Sequence, residues 1–304
     1  MKKIAVIGSI NVDMVVKSNR RPMSGETIFG EDFSIHPGGK GANQAVAIAR
    51  LGGDVKMLGC VGDDLYGQEM IKNLRGNGVD ADHVKRMEGV TTGIASINVA
   101  ENDNSIIVVK GANNFVDRAY IDSVINEIIE VDFVLLQYEI PMDTVEYVIE
   151  ICREKQIKVI VNPAPYQTTR PDMIERIDFI IPNEHEASKM FDNTGDIDHI
   201  LKKHPGKMIV TLGHNGAAYN DGNSIVYIPA MDDVAVVDTT GAGDTFVGAF
   251  TKRLADGGDK KTAIMFAQVA SGLSIEKFGA QEGMPSMAEV MERQSTGFLG
   301  SGGV

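Results

Sequence analysis

The sequence predicts an α/β fold: a doubly wound, mostly parallel sheet flanked by helices, carrying a small β-sheet lid. Three observations predict it. Continuous β-branched runs alternate with segments of helical spacing, the pattern of parallel strands covered on both faces. The 33 glycines, about 11% of the chain against a typical ~7%, gather at strand-to-helix turns. Two strand-like segments break the alternation and have no helix inside them.

The elements follow in order. Residues 4–7 (Ile-Ala-Val-Ile) form a buried strand that stops at Gly8. Residues 42–51 carry apolar side chains at helical spacing and stop at Gly52-Gly53, a helix C-terminal signal. Residues 55–60 read as a strand and 65–74 as a helix ending near Gly76 and Gly78. Strands at 133–136 and 159–161 bracket a helix at 142–155. Strands at 179–181 and 208–212 repeat the theme, and helices near 244–255 and 260–276 close the fold. The exceptions are 27–35 and 92–109, which alternate polar and apolar residues; 101–104 (Glu-Asn-Asp-Asn) has a turn composition. They are expected to form a small antiparallel sheet, either a flap over a substrate or an edge hairpin. The chain reads as one domain over 1–304, with the lid at approximately 14–36 and 91–110, and a frayed tail at 295–304.

Composition excludes several classes. The net charge of −13 argues against nucleic-acid binding by counterion release, although backbone amides can still bind an anionic ligand. Cys60 and Cys152 are far apart, so no disulfide framework or cysteine zinc site is expected, and the chain reads as reduced and cytoplasmic. The histidines form no zinc pattern and are expected at the surface or near a nucleotide. The first apolar run is too short for a signal peptide, and no stretch is long enough to span a membrane.

Three glycine-rich segments carry candidate chemistry. Residues 237–246 (Val-Asp-Thr-Thr-Gly-Ala-Gly-Asp-Thr-Phe) turn from a β-rich run into a helical one, where amides and the helix dipole converge on an anion. Asp244 falls in the first helical turn, either as a base for a hydroxyl or as a helix cap. Residues 37–45 (Pro-Gly-Gly-Lys-Gly-Ala-Asn-Gln-Ala) open another helix, with Lys40 and Asn43 suited to hydroxyls. Residues 8–13 (Gly-Ser-Ile-Asn-Val-Asp) lie at the carboxyl end of the first strand, where open sheets bind ligands. Asn11 and Asp13 share a face if the chain is extended there, matching a vicinal diol; each segment alone also fits a polar turn. Neither glycine-rich loop is a Walker A motif or a dinucleotide fingerprint: Phe246 and Gln44 stand where a third glycine belongs.

These three segments, with Asn162-Pro163-Ala164-Pro165 and 182–186 (Pro-Asn-Glu-His-Glu), occur in this order in the ribokinase-like carbohydrate kinases, which the chain resembles from about Ile4 to Gln281. The unbroken 38–45 stretch is closer to the ribose-specific members than to fructokinases or nucleoside kinases. The resemblance implies a lidded α/β kinase that phosphorylates D-ribose at its 5-hydroxyl with ATP. Its alternatives are 2-deoxyribose, another small sugar or a nucleoside, and then a non-catalytic sugar-binding protein. It implies Asp244 as the base and the amides of Gly241, Ala242 and Gly243 as the anion hole. Asn11, Asp13, Gly39, Lys40, Asn43 and Glu139 would hold the sugar. Asn183 and Glu186 match a motif tied to magnesium and phosphate, and Thr211, Gly213, Gly216 and Gln268 fall at the nucleotide. Asp238, Thr240, Ser274, Lys277 and Gly279 match an activating potassium site, and a homodimer through the lid is implied by analogy. Two positions depart from the family: Gln268 replaces a histidine or asparagine, and Glu282-Gly283-Met284 intervene before Pro285-Ser286.

Overall fold

The computed structural model describes residues 2–101, 103–191 and 195–295. Asn102 of the expected turn, and 296–304 of the expected tail, lie outside the described residues. Among those described, a five-stranded sheet runs in the order Phe179–Ile180, Lys158–Asn162, Phe133–Gln137, Lys3–Ile7, Asp54–Leu58, with every pairing parallel. Period-two alternation sorts its side chains into two cores. Ile4, Val6, Phe133 and Leu135 join one cluster, with the helices Lys40–Arg50, Ala242–Ala255 and Lys260–Ser274. Ala5, Ile7, Val134 and Leu136 join the other, with the helix Met142–Lys155. Both faces are therefore apolar, which is why these strands read as unbroken hydrophobic runs.

The register aligns the carboxyl ends of the strands. Ile7 stands beside Leu58 and Leu136, and Gln137 beside Asn162. Gly8 follows Ile7 and Gly59 follows Leu58, and Asn162 at this edge lines a small cavity.

Four expectations are corrected. The outlying sheet has four strands in the order Asp32–Gly38, Asn11–Lys17, Gly93–Ala100, Asp103–Val109, and it is mixed, because its central pair is parallel. The expected strand at 27–35 begins only at Asp32. The residues at 208–212 form Ile209–Thr211 of a separate three-stranded antiparallel sheet, which meets the main one through single bridges at Ile180–Met208 and Asn183–Thr211. The run at 55–60 divides: Asp54–Leu58 stays in the main sheet, while Cys60–Gly62 pairs with Lys85–Met87.

Helices Lys40–Arg50 and Ala242–Ala255 cross closely because Gly248 has no side chain. A Cβ there would lie 2.7 Å from Ala47 Cβ and 2.9 Å from the Gln44 carbonyl. Their N-termini meet over the carboxyl edge of the sheet.

Candidate functional site

Asp244 lies in the first turn of Ala242–Ala255, as its position after Gly241-Ala242-Gly243 predicts. It is 6% exposed, so it is buried at a helix N-terminus. Gly241 caps the helix at φ 78°, a left-handed conformation that favours glycine. The Ala242 N–H bonds the Thr239 carbonyl at 3.3 Å and the Thr245 N–H bonds the Gly241 carbonyl at 2.8 Å. The amides of Gly243 and Asp244 then stand outside the helix's own ladder. A Cβ on Gly243 would meet nothing within 4 Å, and Gly243 lines the cavities on both sides of it.

Both oxygens of Asp244 are held. Asn43 Nδ2 donates to Oδ2 at 3.0 Å and Gln44 Nε2 donates to Oδ1 at 2.9 Å. Lys40 Nζ stands 4.0 Å from Oδ1. The Asp244 charge, outweighing the cost of burial, raises the Lys40 ammonium above its ordinary pKa, so Lys40 stays cationic.

The proposed sugar residues converge beside this base. Asn11 and Asp13 project from one strand two residues apart, on a common face. Asn11 lies between Gly38 and Gly93, and a side chain on Gly93 would collide with its amide. The neighbouring Asn113 Nδ2 donates to Asn11 Oδ1 at 2.7 Å, which engages the oxygen of that amide and leaves its NH2 as donor. Gly39, at φ 88°, passes so close that a Cβ would lie 2.6 Å from the Asn11 nitrogen. Glu139 accepts the Ser9 hydroxyl and, at 3.2 Å, the Lys40 N–H. Burial, and then the carboxylates of Glu139 and Asp244, push Asp13 from 3.8 to about 7. A cleft that strains a carboxylate in this way suits a ligand rich in hydroxyl donors.

On the other side of Gly243 lies a cavity of about 580 Å³, lined by Thr211, Gly213, Gly216, Thr239, Ala242, Gly243 and Gln268. Of the residues expected at the nucleotide, Thr211, Gly213, Gly216, Gly243 and Gln268 share this wall, whereas Asn183 lines only the smaller cavity next to it. Gln268 Nε2 is buried with no hydrogen-bond partner among the described residues, a donor ready for a ligand acceptor. His214 lines the same cavity, as expected for a nucleotide-proximal histidine. A smaller cavity joins Lys40, Asn183, Glu186, Gly243 and Asp244. Asn183 and Glu186 form a capping box: Asn183 Oδ1 accepts the Glu186 N–H at 2.8 Å, and Glu186 Oε2 accepts the Asn183 N–H at 2.9 Å. Burial raises the Glu186 carboxyl above its ordinary pKa, partly countered by that N–H.

The five proposed potassium residues sit behind the anion loop. Burial alone would raise the Asp238 carboxyl, but hydrogen bonds from the Thr240 N–H at 2.9 Å and the Gly279 N–H at 3.0 Å outweigh it and hold it low. The Ser274 carbonyl and, at 3.2 Å, the Gly279 carbonyl converge on the Cα side of Gly283, where a Cβ would collide with Ser274 O. The Lys277 ammonium turns away to Glu289 at 3.0 Å, so only its backbone faces this cluster. Among the described residues, no group of three or more acidic, histidine or cysteine side chains forms a metal cage.

Sequence reasoning missed several contributors. Ser9 and Gln44 lay inside quoted motifs but carried no assigned role. Asn113 lies in the short 3-10 helix Gly111–Phe115 and Gln281 follows Gly279-Ala280; neither was assigned a role. His36 was given no role beyond a place at the surface or near a nucleotide; it is partly exposed and pairs across the strands with Asp13, its ring 3.3 Å from Glu282 and 5.6 Å from the Phe278 ring.

The model of the pfkB family carbohydrate kinases matches residues 1–287. A ribokinase of Lactococcus lactis is 48% identical over 95% of this chain and 96% of its own length. A ribokinase of Bacillus subtilis is 47% identical over 96% and 99%. A deoxyribokinase of Salmonella typhi is 37% identical over 95% and 97%. The crystal structure of ribokinase from Thermotoga maritima superposes with a TM-score of 0.88 at 33% identity, covering 97% of this chain and all of that one. The structure of Arabidopsis thaliana ribokinase complexed with ribose and ATP superposes at 0.86 with 30% identity, covering 96% and 98%.

Proposed function

The chain belongs to the pfkB family of carbohydrate kinases, and on that premise we propose that it transfers the γ-phosphoryl group of ATP to the 5-hydroxyl of D-ribose. The observation that carries this reading is the place of Asp244: a buried, doubly bonded carboxylate between a hydroxyl-binding cleft and a cavity of nucleotide size. Phosphoryl transfer needs positioning and electrostatic stabilisation more than covalent chemistry. Asp244 takes the proton of the attacking 5-hydroxyl. The helix N-terminus at 241–243 receives the charge that develops on the transferred group. Lys40 adds a fixed positive charge on the sugar side. Asn11, Asp13, Asn43 and Glu139 orient the ring hydroxyls, with Gly39 giving the backbone close approach. Thr211, Gly213, Gly216 and Gln268 hold the nucleotide.

The donor sets suit two cations. Glu186 keeps one carboxylate oxygen for magnesium or its waters, consistent with a metal held mainly by phosphates, whose charge it would neutralise. The Asp238 carboxylate and the carbonyls of Thr240, Ser274, Lys277 and Gly279 would hold potassium and so brace the anion loop.

The four-stranded sheet is read as the lid, over a single domain. Its edge strand Asp103–Val109 is exposed throughout, with Ile107 70% and Val109 53% exposed, and Phe33 on the opposite edge strand is 57% exposed. Two copies paired through this sheet would cover that apolar surface. No helix among the described residues is long and apolar enough to cross a membrane, and Cys60 and Cys152 are free and buried, as a cytoplasmic setting would keep them.

The test is a coupled ADP-release assay with magnesium and ATP on ribose, 2-deoxyribose, fructose and adenosine, in potassium and then in sodium. Ribose should turn over best. An Asp244→Asn variant should lose about 10²–10⁴-fold in kcat while still binding ribose. Preference for 2-deoxyribose would reassign the substrate, and full turnover by the variant would remove Asp244 as base.

A further inference from the structure

The base is held by side chains that are themselves held. Asn43 presents Nδ2 to Asp244, and its Oδ1 accepts Gln281 Nε2 at 2.9 Å. Gln281 Oε1 in turn accepts Asn73 Nδ2 at 2.7 Å. On the other arm, Gln44 presents Nε2 to both Asp244 Oδ1 and Asn162 Oδ1, the latter at 3.1 Å. Its own Oε1 accepts Gln137 Nε2 at 2.6 Å. Gln44 and Gln137 are fully buried, and Gln281 is 2% exposed.

The logic of these amides is directional. A side-chain amide has one acceptor end and one donor end. With Gln137 donating to its oxygen, Gln44 can turn only its NH2 toward Asp244. With Gln281 donating to its oxygen, Asn43 can do only the same. Two amides from adjacent positions of one helix therefore each place an N–H on a different carboxylate oxygen. Each oxygen keeps a second lone pair, so the carboxylate is oriented and stabilised without losing its capacity to take a proton.

We propose that Gln44, directly, and Gln281, through Asn43, are positioning residues that fix the orientation and proton affinity of Asp244. The inference rests on the reading of Asp244 as the base. Neither residue needs to touch sugar or nucleotide for this role. The charged groups around Asp244 come from several elements: Lys40 on its helix, Asp13 on the outlying sheet, Glu139 after its strand, and Glu186 on the capping-box helix. Changing Gln44 or Gln281 leaves all four charges in place, so a change in Asp244 titration would report the amide contacts.

The experiment uses the full chain with Gln44→Met and Gln281→Met, which keep volume and remove the donor; Gln137→Met joins them should Gln44→Met not fold. Carbon-13 NMR of the Asp244 carboxylate, assigned with Asp244→Asn, reads its titration without any sugar. Rate profiles against pH with ribose and ATP read the consequence. Loss of a hydrogen bond to the charged form makes the carboxylate easier to protonate in each variant. The acid limb of kcat should move up with it, and kcat should fall about 10–100-fold, with KM for ribose within about 2-fold of the parent in Gln44→Met and raised as well in Gln281→Met, which also frees the sugar-facing Asn43. An unchanged Asp244 titration in folded variants would overturn the proposal, as would a rise in KM with kcat preserved. Parent protein that does not phosphorylate ribose, with the NMR shift still present, would remove the ribose assignment and leave the positioning intact.

Discussion

Asp13 offers a test in which stability and function move in opposite directions. Its carboxyl is pushed up to about 7 by burial first, then by Glu139 and Asp244, with His36 opposing and Glu282 adding a little. An acid whose folded pKa lies above its unfolded value destabilises the fold when ionised. That cost is absent below about pH 4, grows between about pH 4 and 7, and is constant above 7. At 1.36 kcal/mol per pH unit, the displacement from 3.8 to about 7 amounts to about 4 kcal/mol, an upper bound because the neighbouring carboxylates share it. Asp13→Asn keeps the shape and removes the charge. In the ligand-free protein the variant should therefore melt higher than the parent at pH 8, by about 3–6 °C for a chain of this size, and equally at pH 4. The same variant should lose about 10–100-fold in kcat/KM for ribose, because the sugar hydroxyls lose a charged acceptor. Ribose should also stabilise the parent more at pH 8 than at pH 5, since bound hydroxyls solvate the ionised carboxylate. Calorimetric melting at pH 4, 6 and 8, with and without ribose, measures all of this. A variant no more stable than the parent at pH 8 would refute the reasoning, as would one with the same slope between pH 4 and 7.

Three further outcomes are expected. Gly41→Ala should destabilise the protein by about 1–3 kcal/mol and raise KM for ribose, because its Cβ would lie 2.7 Å from the Ser9 nitrogen and 2.8 Å from the Ser9 carbonyl oxygen, both rigid backbone; melting and steady-state kinetics check it. Gln268→Leu should raise KM for ATP while stabilising the ligand-free protein by about 1 kcal/mol, because it deletes a buried donor without a partner; a melting curve showing loss instead would mean that the amide is bonded in solution. Asp238→Asn should abolish the difference between potassium and sodium in the ADP-release assay, since the charge is lost and the amide NH2 cannot accept both the Thr240 and Gly279 N–H groups.

The central fold was legible because burial on two faces leaves a signal that needs no partner. Ile4 to Ile7 and Phe133 to Leu136 are apolar at every position, and only a parallel sheet covered on both sides asks for that. The outlying sheet was half legible. Its alternation announced strands at 92–109, but the direction of pairing depends on how the chain leaves the main sheet, which no local pattern encodes. Asn11–Lys17 was hidden by its dual role, since the same residues supply a ligand motif and the central strand of that sheet. The start at Asp32 rather than at 27 reflects pairing with Lys17, the end of the partner strand, which is a fact of register rather than of propensity.

The site divides along the same line. Residues placed at the cleft through backbone, such as Gly39 and Gly241, are visible because a left-handed backbone and close neighbours leave room for glycine alone there. Residues that meet other side chains are not. Gln281 lies 238 positions from Asn43 and Gln137 lies 93 from Gln44, so both contacts exist only after the sheet and the helix crossing at Gly248 are built. A buried glutamine at the end of a strand has no composition signal: it reads as a polar turn until its partners are known. The separation is physical. The groups that bear charge and backbone freedom constrain their own local sequence, whereas the groups that aim them are constrained by distant neighbours. For that reason, substitutions that retune Asp244 without touching its ligands are to be sought among the amides behind Asn43 and Gln44, in segments where the sequence carries no motif.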